Sequence, residues 1–237
     1  MTGSLVTPTT RQRVRNVANP IALALGRLGL TPNALTLIGF LGTSIAAVAA
    51  SQQWWLAAGV LVLVFGIFDL FDGALARATK RESRLGAFYD SVFDRAGEVL
   101  VYLGIVWGTL DFGLWLPVVL AAGALASSTM VSYVRAKSEG LGFTPGTGMA
   151  SVGLAPREVR VAILGFGLVL AGLLPGFPED MDGVGGLAYP LSGLAIDATL
   201  GLITVLATVT VVQRILHVRR QAIAAPAPTP ARPSITH

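Results

Sequence analysis

Six apolar runs, each about as long as a bilayer is thick when coiled into a helix, constrain this chain more than anything else in it. They fall at roughly 33–51, 54–76, 86–110, 113–134, 159–175 and 190–213. About 20 apolar residues span a ~30 Å hydrocarbon core as an α-helix, and tilt absorbs modest differences in length. Lipid offers the backbone no hydrogen-bond partner, so helices are the expected form. The composition agrees, with 53% of 237 residues hydrophobic, 13% charged and a mean hydropathy of +0.69. Soluble domains carry about 25% charged residues. The expectation is an all-α integral membrane protein of one domain.

The chain has no cysteine, which excludes disulfide frameworks, thiolate metal sites and cysteine nucleophiles. Its two histidines, His217 and His237, are too few and too late in the chain for a histidine-ligated metal. Any bound metal is therefore expected to be held by oxygen.

Orientation is read from the basic residues, which are enriched in cytoplasmic segments next to span ends. Arg11, Arg13, Arg15 and Arg27 precede the first run, and Arg77, Lys80, Arg81 and Arg84 separate the second from the third. Arg135, Lys137, Arg157 and Arg160 flank the connection between the fourth and fifth, and Arg214, Arg219, Arg220 and Arg232 follow the sixth. Arg95 completes the 17 Lys and Arg residues. The alternate connections, 51–53, 111–113 and 175–189, contain none. Six crossings with both termini on the cytoplasmic side follow. The net charge of +4 then describes a basic face against anionic lipid headgroups, with no nucleic-acid partner expected.

Ahead of the first run, Val14, Val17, Ile21, Leu25 and Leu28 recur at spacings of three and four, while Arg11, Arg15 and Arg27 occupy other faces. This pattern predicts an amphipathic juxtamembrane helix over 9–30. Asn19, Pro20 and Arg27 interrupt the continuous apolar region that a signal peptide would need. Residues 1–8 and the Ala- and Pro-rich tail at 221–237 have no apolar face to bury and are expected to be disordered, leaving 31–220 as the six-helix domain.

The acidic residues between 66 and 98 are the chemically informative ones. Asp69 and Asp72 are three apart near the end of the second run, and Asp90 and Asp94 four apart near the start of the third, so each pair shares a helix face. A carboxylate at mid-membrane costs about 2.5–3.5 kcal/mol on insertion scales, and four together repel one another. Arg77 or Arg95 would supply part of the compensation, and hard divalent cations, which favour clustered carboxylate oxygens, are expected to supply the rest; a structural ion-pair cluster is the alternative. Gly73, Ala76 and Gly86 leave room either for close helix packing or for a flat ligand.

Asp69, Asp72, Gly73, Ala76, Arg77, Gly86, Asp90 and Asp94, at these spacings, resemble the signature of the CDP-alcohol phosphatidyltransferases. The resemblance covers roughly 11–220 and implies the same six membrane helices with an N-terminal juxtamembrane helix. It implies transfer of a phosphatidyl group from CDP-diacylglycerol to an alcohol with release of CMP. Asp69, Asp72, Asp90 and Asp94 would hold two divalent cations, Mg²⁺ or Mn²⁺, and Asp94 would also be the general base. Gly73, Ala76, Arg77, Ser83 and Gly86 would bind the CDP-lipid, with Asn33, Ala34, Leu35 and Thr36 lining the site from the first helix. Asn33 has a competing role as a helix-start residue after Pro32. A homodimer is likewise implied.

For the acceptor, Arg135, Lys137, Arg157, Arg160 and Arg214 share one depth, and arginine forks suit a phosphorylated alcohol. The Ser132–Lys137 segment and Val212-Gln213-Arg214 resemble the prokaryotic phosphatidylinositol phosphate synthases, which implies inositol 1-phosphate. The chain departs from that group at Ala155-Pro156-Arg157-Glu158-Val159-Arg160, where Glu-Arg-Pro-Glu-Arg is common. Glycerol 3-phosphate is the alternative acceptor. A cation transporter is the alternative class, opposed by the absence of a polar path through the outer half, where Asp197 is the one comparable acid. A membrane scaffold would leave the eight-position signature without a reason.

Overall fold

The computed structural model describes residues 8–110, 115–143, 152–176 and 190–224. All regular structure among them is helical: α1 (Pro8–Arg27), α2 (Pro32–Ser51), α3 (Trp55–Gly66), α4 (Phe68–Ala78), α5 (Arg84–Leu110), α6 (Trp115–Gly140), α7 (Arg157–Leu173) and α8 (Leu191–Ala224). Four stretches are long and apolar enough to cross a membrane: Pro32–Ser51, Trp55–Ala78, Trp115–Gly140 and Leu191–Ile223. The expected disorder at 1–7 and 225–237 lies outside the described residues. Positions 221–224, expected in the tail, continue α8.

Local chemistry sets the helix ends. Gly29, at φ +87°, turns the chain from α1 into α2, a conformation open to glycine without steric cost. Thr31 then caps α2, its Oγ1 accepting from the Ala34 N–H at 3.2 Å, and Pro32 occupies the first turn, where no N–H is needed. The capping role weighed for Asn33 therefore belongs to Thr31, and the Asn33 side chain faces a cavity instead. The second apolar run is broken at Ile67 into α3 and α4, so the segment bearing Asp69 and Asp72 is a separate short helix.

Packing relies on small residues. α2 lies against α5, α6 against α8, and α7 against α3 and α8. Ala46, Ala50, Ala58, Ala121 and Ala124 are buried at these contacts, and a Cβ on Gly104 of α5 would run into the Ala47 carbonyl of α2. Close backbone approach of this kind is how helices associate in lipid, where apolar burial alone provides little drive. Large apolar side chains instead point outward, including Ile45, Val48, Trp107, Val119 and Val205. α1 packs on α4 through Ala18, Ala22 and Gly26, the last against Leu75, while Ile21 and Leu28 remain exposed.

Candidate active site

α4 and α5 carry Asp69, Asp90 and Asp94 to one place, with Asp72 farther along α4. Carboxylate oxygens of Asp69, Asp90 and Asp94 lie within 4.8 Å of one another. Phe93, beside Asp94, stacks on Phe40 of α2 with ring centroids 5.0 Å apart, which fixes the start of α5 against α2. An all-oxygen cluster of this size matches the ligand preference of a hard divalent cation. Asp72 stands apart from the trio. Its Oδ2 accepts a 2.6 Å hydrogen bond from Thr36 Oγ1, and its side chain is buried.

Two cavities adjoin at Asp90. The smaller, about 170 Å³, is lined by Asn33, Thr36, Asp72, Gly73, Ala76, Arg77, Ser83 and Gly86, together with Arg81 and Glu82. With Asp90, nine of the positions singled out from the sequence thus meet in one hollow. Ala34 and Leu35 do not line it; Leu35 is fully buried in an apolar cluster with Ala22, Ala74 and Leu75. The glycines here make space rather than helix contacts. A Cβ on Gly86 would lie 3.0 Å from Ser83 Oγ and 3.1 Å from Asn33 Oδ1, and one on Gly73 would lie 3.2 Å from Arg77 Nη1. Ser83 is also held in place, its Oγ accepting from the Gly86 N–H at 2.9 Å.

The larger cavity, about 520 Å³, is lined by Asp69, Asp90, Asp94, Arg95, Arg135, Arg157, Arg160 and Arg214. Lys137 is exposed on α6 and lies outside this lining. The arginines differ in what their guanidinium groups touch. Arg157 pairs with Asp69, and its Nη2 lies 3.0 Å from Asp94 Oδ1. Arg214 is buried, donating from Nε to the Val152 carbonyl at 3.0 Å and from Nη1 to that of Val131 at 2.6 Å. Arg135 pairs with Glu139 at 2.9 Å near the surface, where such a pair is weak. Arg160 is bound along its Nε–Nη2 edge to Glu98 and through Nη1 to the Ala155 carbonyl.

Glu98 was not anticipated from the sequence. The available signal was its place one turn beyond Asp94 inside an apolar run, where an acid requires a partner.

The geometry thus sets two polar cavities on either side of a shared carboxylate, Asp90. The model of the CDP-alcohol phosphatidyltransferase family matches residues 29–212. The chain belongs to that family. Among curated proteins, the archaetidylinositol phosphate synthase of Pyrococcus horikoshii is 38% identical over 154 residues, 65% of this chain and 77% of that one. The phosphatidylinositol phosphate synthase of Cutibacterium acnes is 35% identical over 210 residues, 86% and 93% of the two chains. Among solved structures, the phosphatidylinositol phosphate synthase of Mycobacterium tuberculosis with manganese and citrate superposes with a TM-score of 0.69 at 26% identity, covering 85% of this chain and 88% of that one. The same enzyme with CDP-DAG bound gives 0.69 at 25% identity, covering 86% and 94%. Family membership and the apolar helices make the chain a multi-pass membrane protein.

Proposed function

We propose that this phosphatidyltransferase moves a phosphatidyl group from CDP-diacylglycerol to a hydroxyl of inositol 1-phosphate, releasing CMP. The observation that carries the reading is the pair of cavities adjoining at Asp90, one bearing the CDP-lipid signature residues and the other arginines. Relatives that make inositol phosphate lipids support the acceptor.

In this reading the cytidine diphosphate lies in the smaller cavity, beside Gly73 and Gly86 and within reach of Arg77 and Ser83. The acceptor phosphate lies in the larger one, against Arg135, Arg157 and Arg214. Asp69, Asp90 and Asp94, together with Asp72 from the adjoining cavity, would hold two divalent cations, Mg²⁺ or Mn²⁺. When bound, these neutralise charge developing on the pyrophosphate. The acceptor oxygen bonds to the lipid-side phosphorus, the bond from that phosphorus to the CMP oxygen breaks, and an Asp94 carboxylate oxygen takes the hydroxyl proton. Asp94 is suited to this because it borders the larger cavity while belonging to the carboxylate cluster. Arg157, on Asp69 and Asp94, provides a positive charge to the cluster and exchanges it for the acceptor phosphate.

The same reading extends to topology. α2, α3–α4, α5, α6, α7 and α8 form six crossings, α1 is an interfacial amphipathic helix, and both termini and the carboxylate cluster face the cytoplasm. Residues 31–220 constitute the enzymatic domain, and two copies pair as a homodimer. Light scattering in detergent checks the pairing.

Purified protein with CDP-diacylglycerol, Mg²⁺ and a panel of alcohols, assayed for CMP, tests the reaction. Inositol 1-phosphate is expected to outperform glycerol 3-phosphate, free inositol and serine. Preference for glycerol 3-phosphate would keep the phosphate pocket and replace the alcohol; preference for free inositol or serine would overturn the pocket.

A further inference from the structure

We infer that Glu98 and Arg160 form a fixed strut that positions Arg157 and the wall of the larger cavity, and that Arg160 is not itself a phosphate ligand. The inference rests on the reading of that cavity as the acceptor site. Arg160 donates from Nε and Nη2 to the two Glu98 oxygens, each at 2.9 Å, and from Nη1 to the Ala155 carbonyl at 3.0 Å. Glu98 fills the whole Nε–Nη2 edge and neutralises the charge, and Nη1 is committed to a carbonyl, whereas the guanidinium of Arg214 bonds only neutral carbonyls and keeps its charge for a phosphate.

The register explains why this pair matters. Glu98 follows Asp94 by four residues on α5, and Arg160 follows Arg157 by three on α7, so each shares a helix face with the cavity residue above it. Arg157 with Asp94, and Arg160 with Glu98, are therefore successive rungs between two helices whose main packing partners lie elsewhere. The rungs differ in access. Side-chain exposure is 19% for Arg157 and 14% for Asp94, against 1% for Arg160 and 5% for Glu98. The outer rung can open to substrate while the inner one keeps α7 in register with α5. Ala155 carries the strut further, because its N–H donates to Thr210 Oγ1 on α8 at 3.0 Å, one turn before Arg214.

Two measurements on the full chain test this. The first is a double-substitution cycle in CMP release. Glu98→Gln and Arg160→Gln should each raise the acceptor KM about ten- to a hundredfold while changing the KM for CDP-diacylglycerol by less than about twofold, as expected for misplacement of one binding wall. The double variant should be no worse than either single one, since both remove the same strut. It also leaves no unpaired buried charge, which keeps the test open if a single variant fails to fold. Arg160→Lys should rescue only in part. An Arg160→Gln defect with normal acceptor KM in Glu98→Gln would make Arg160 a ligand and overturn the strut. The second measurement needs no turnover. Because the chain has no cysteine, spin labels at the exposed positions Leu103 on α5 and Leu170 on α7 report the interhelical distance directly. The distribution should broaden in both single variants, and unchanged widths would overturn the proposal. Absence of CMP release from the unsubstituted protein with every acceptor would instead refute the proposed function, with the distance measurement still deciding the strut.

Discussion

Gly86 is where a single methyl group tests the division of the site. Its Cβ would fall 3.0–3.1 Å from Ser83 Oγ and Asn33 Oδ1 inside the smaller cavity. Gly86→Ala should therefore raise the KM for CDP-diacylglycerol and leave that for the acceptor unchanged, as measured in steady-state CMP release. On the other side, Arg157→Lys and Arg214→Lys keep the charge and lose the fork. With a charged hydrogen bond worth about 1.5–3 kcal/mol, the acceptor KM should rise about ten- to a hundredfold or somewhat more. Asp94→Asn should abolish turnover but retain part of the Mn²⁺ binding detected by paramagnetic resonance; near-normal turnover would remove Asp94 as base. The aspartates were legible because spacings of three and four have one meaning on a helix. The Thr36 bond that sets Asp72 apart, and the Glu98–Arg160 pair, join residues 36 and 62 positions apart in sequence, and local periodicity carries no trace of them.

At the scale of elements, the apolar runs anticipate the helices closely because hydrophobic length is a direct property of sequence. The break at Ile67 was not legible, since neither proline nor charge marks it. Its surroundings are tertiary: α7 approaches so closely that a Cβ on Gly66 would lie 2.8 Å from Val161 Cγ1. The inward face of α1 was also obscured, because Ala18, Ala22 and Gly26 form a seam whose value is small size rather than hydrophobicity. Gly104→Val would force a branched side chain against the Ala47 carbonyl of α2. A loss of about 1–3 kcal/mol is expected for such overpacking, seen as lower thermal stability in detergent.

Across the whole molecule, the exposed tryptophans Trp54, Trp107 and Trp115 lie at or near helix ends remote in sequence from the aspartates, as expected of an aromatic belt at one interface. In intact cells, a cysteine at Gln52 should react with an impermeant reagent and one at Ser83 should not; the reverse pattern would invert the topology. The two adjoining cavities also bear on the order of events. If the two cavities on either side of Asp90 each take one substrate, as proposed, donor and acceptor can be present together, and no covalent lipid-enzyme species is required. Initial-rate plots should then intersect rather than run parallel, and a single in-line displacement should invert the configuration at phosphorus.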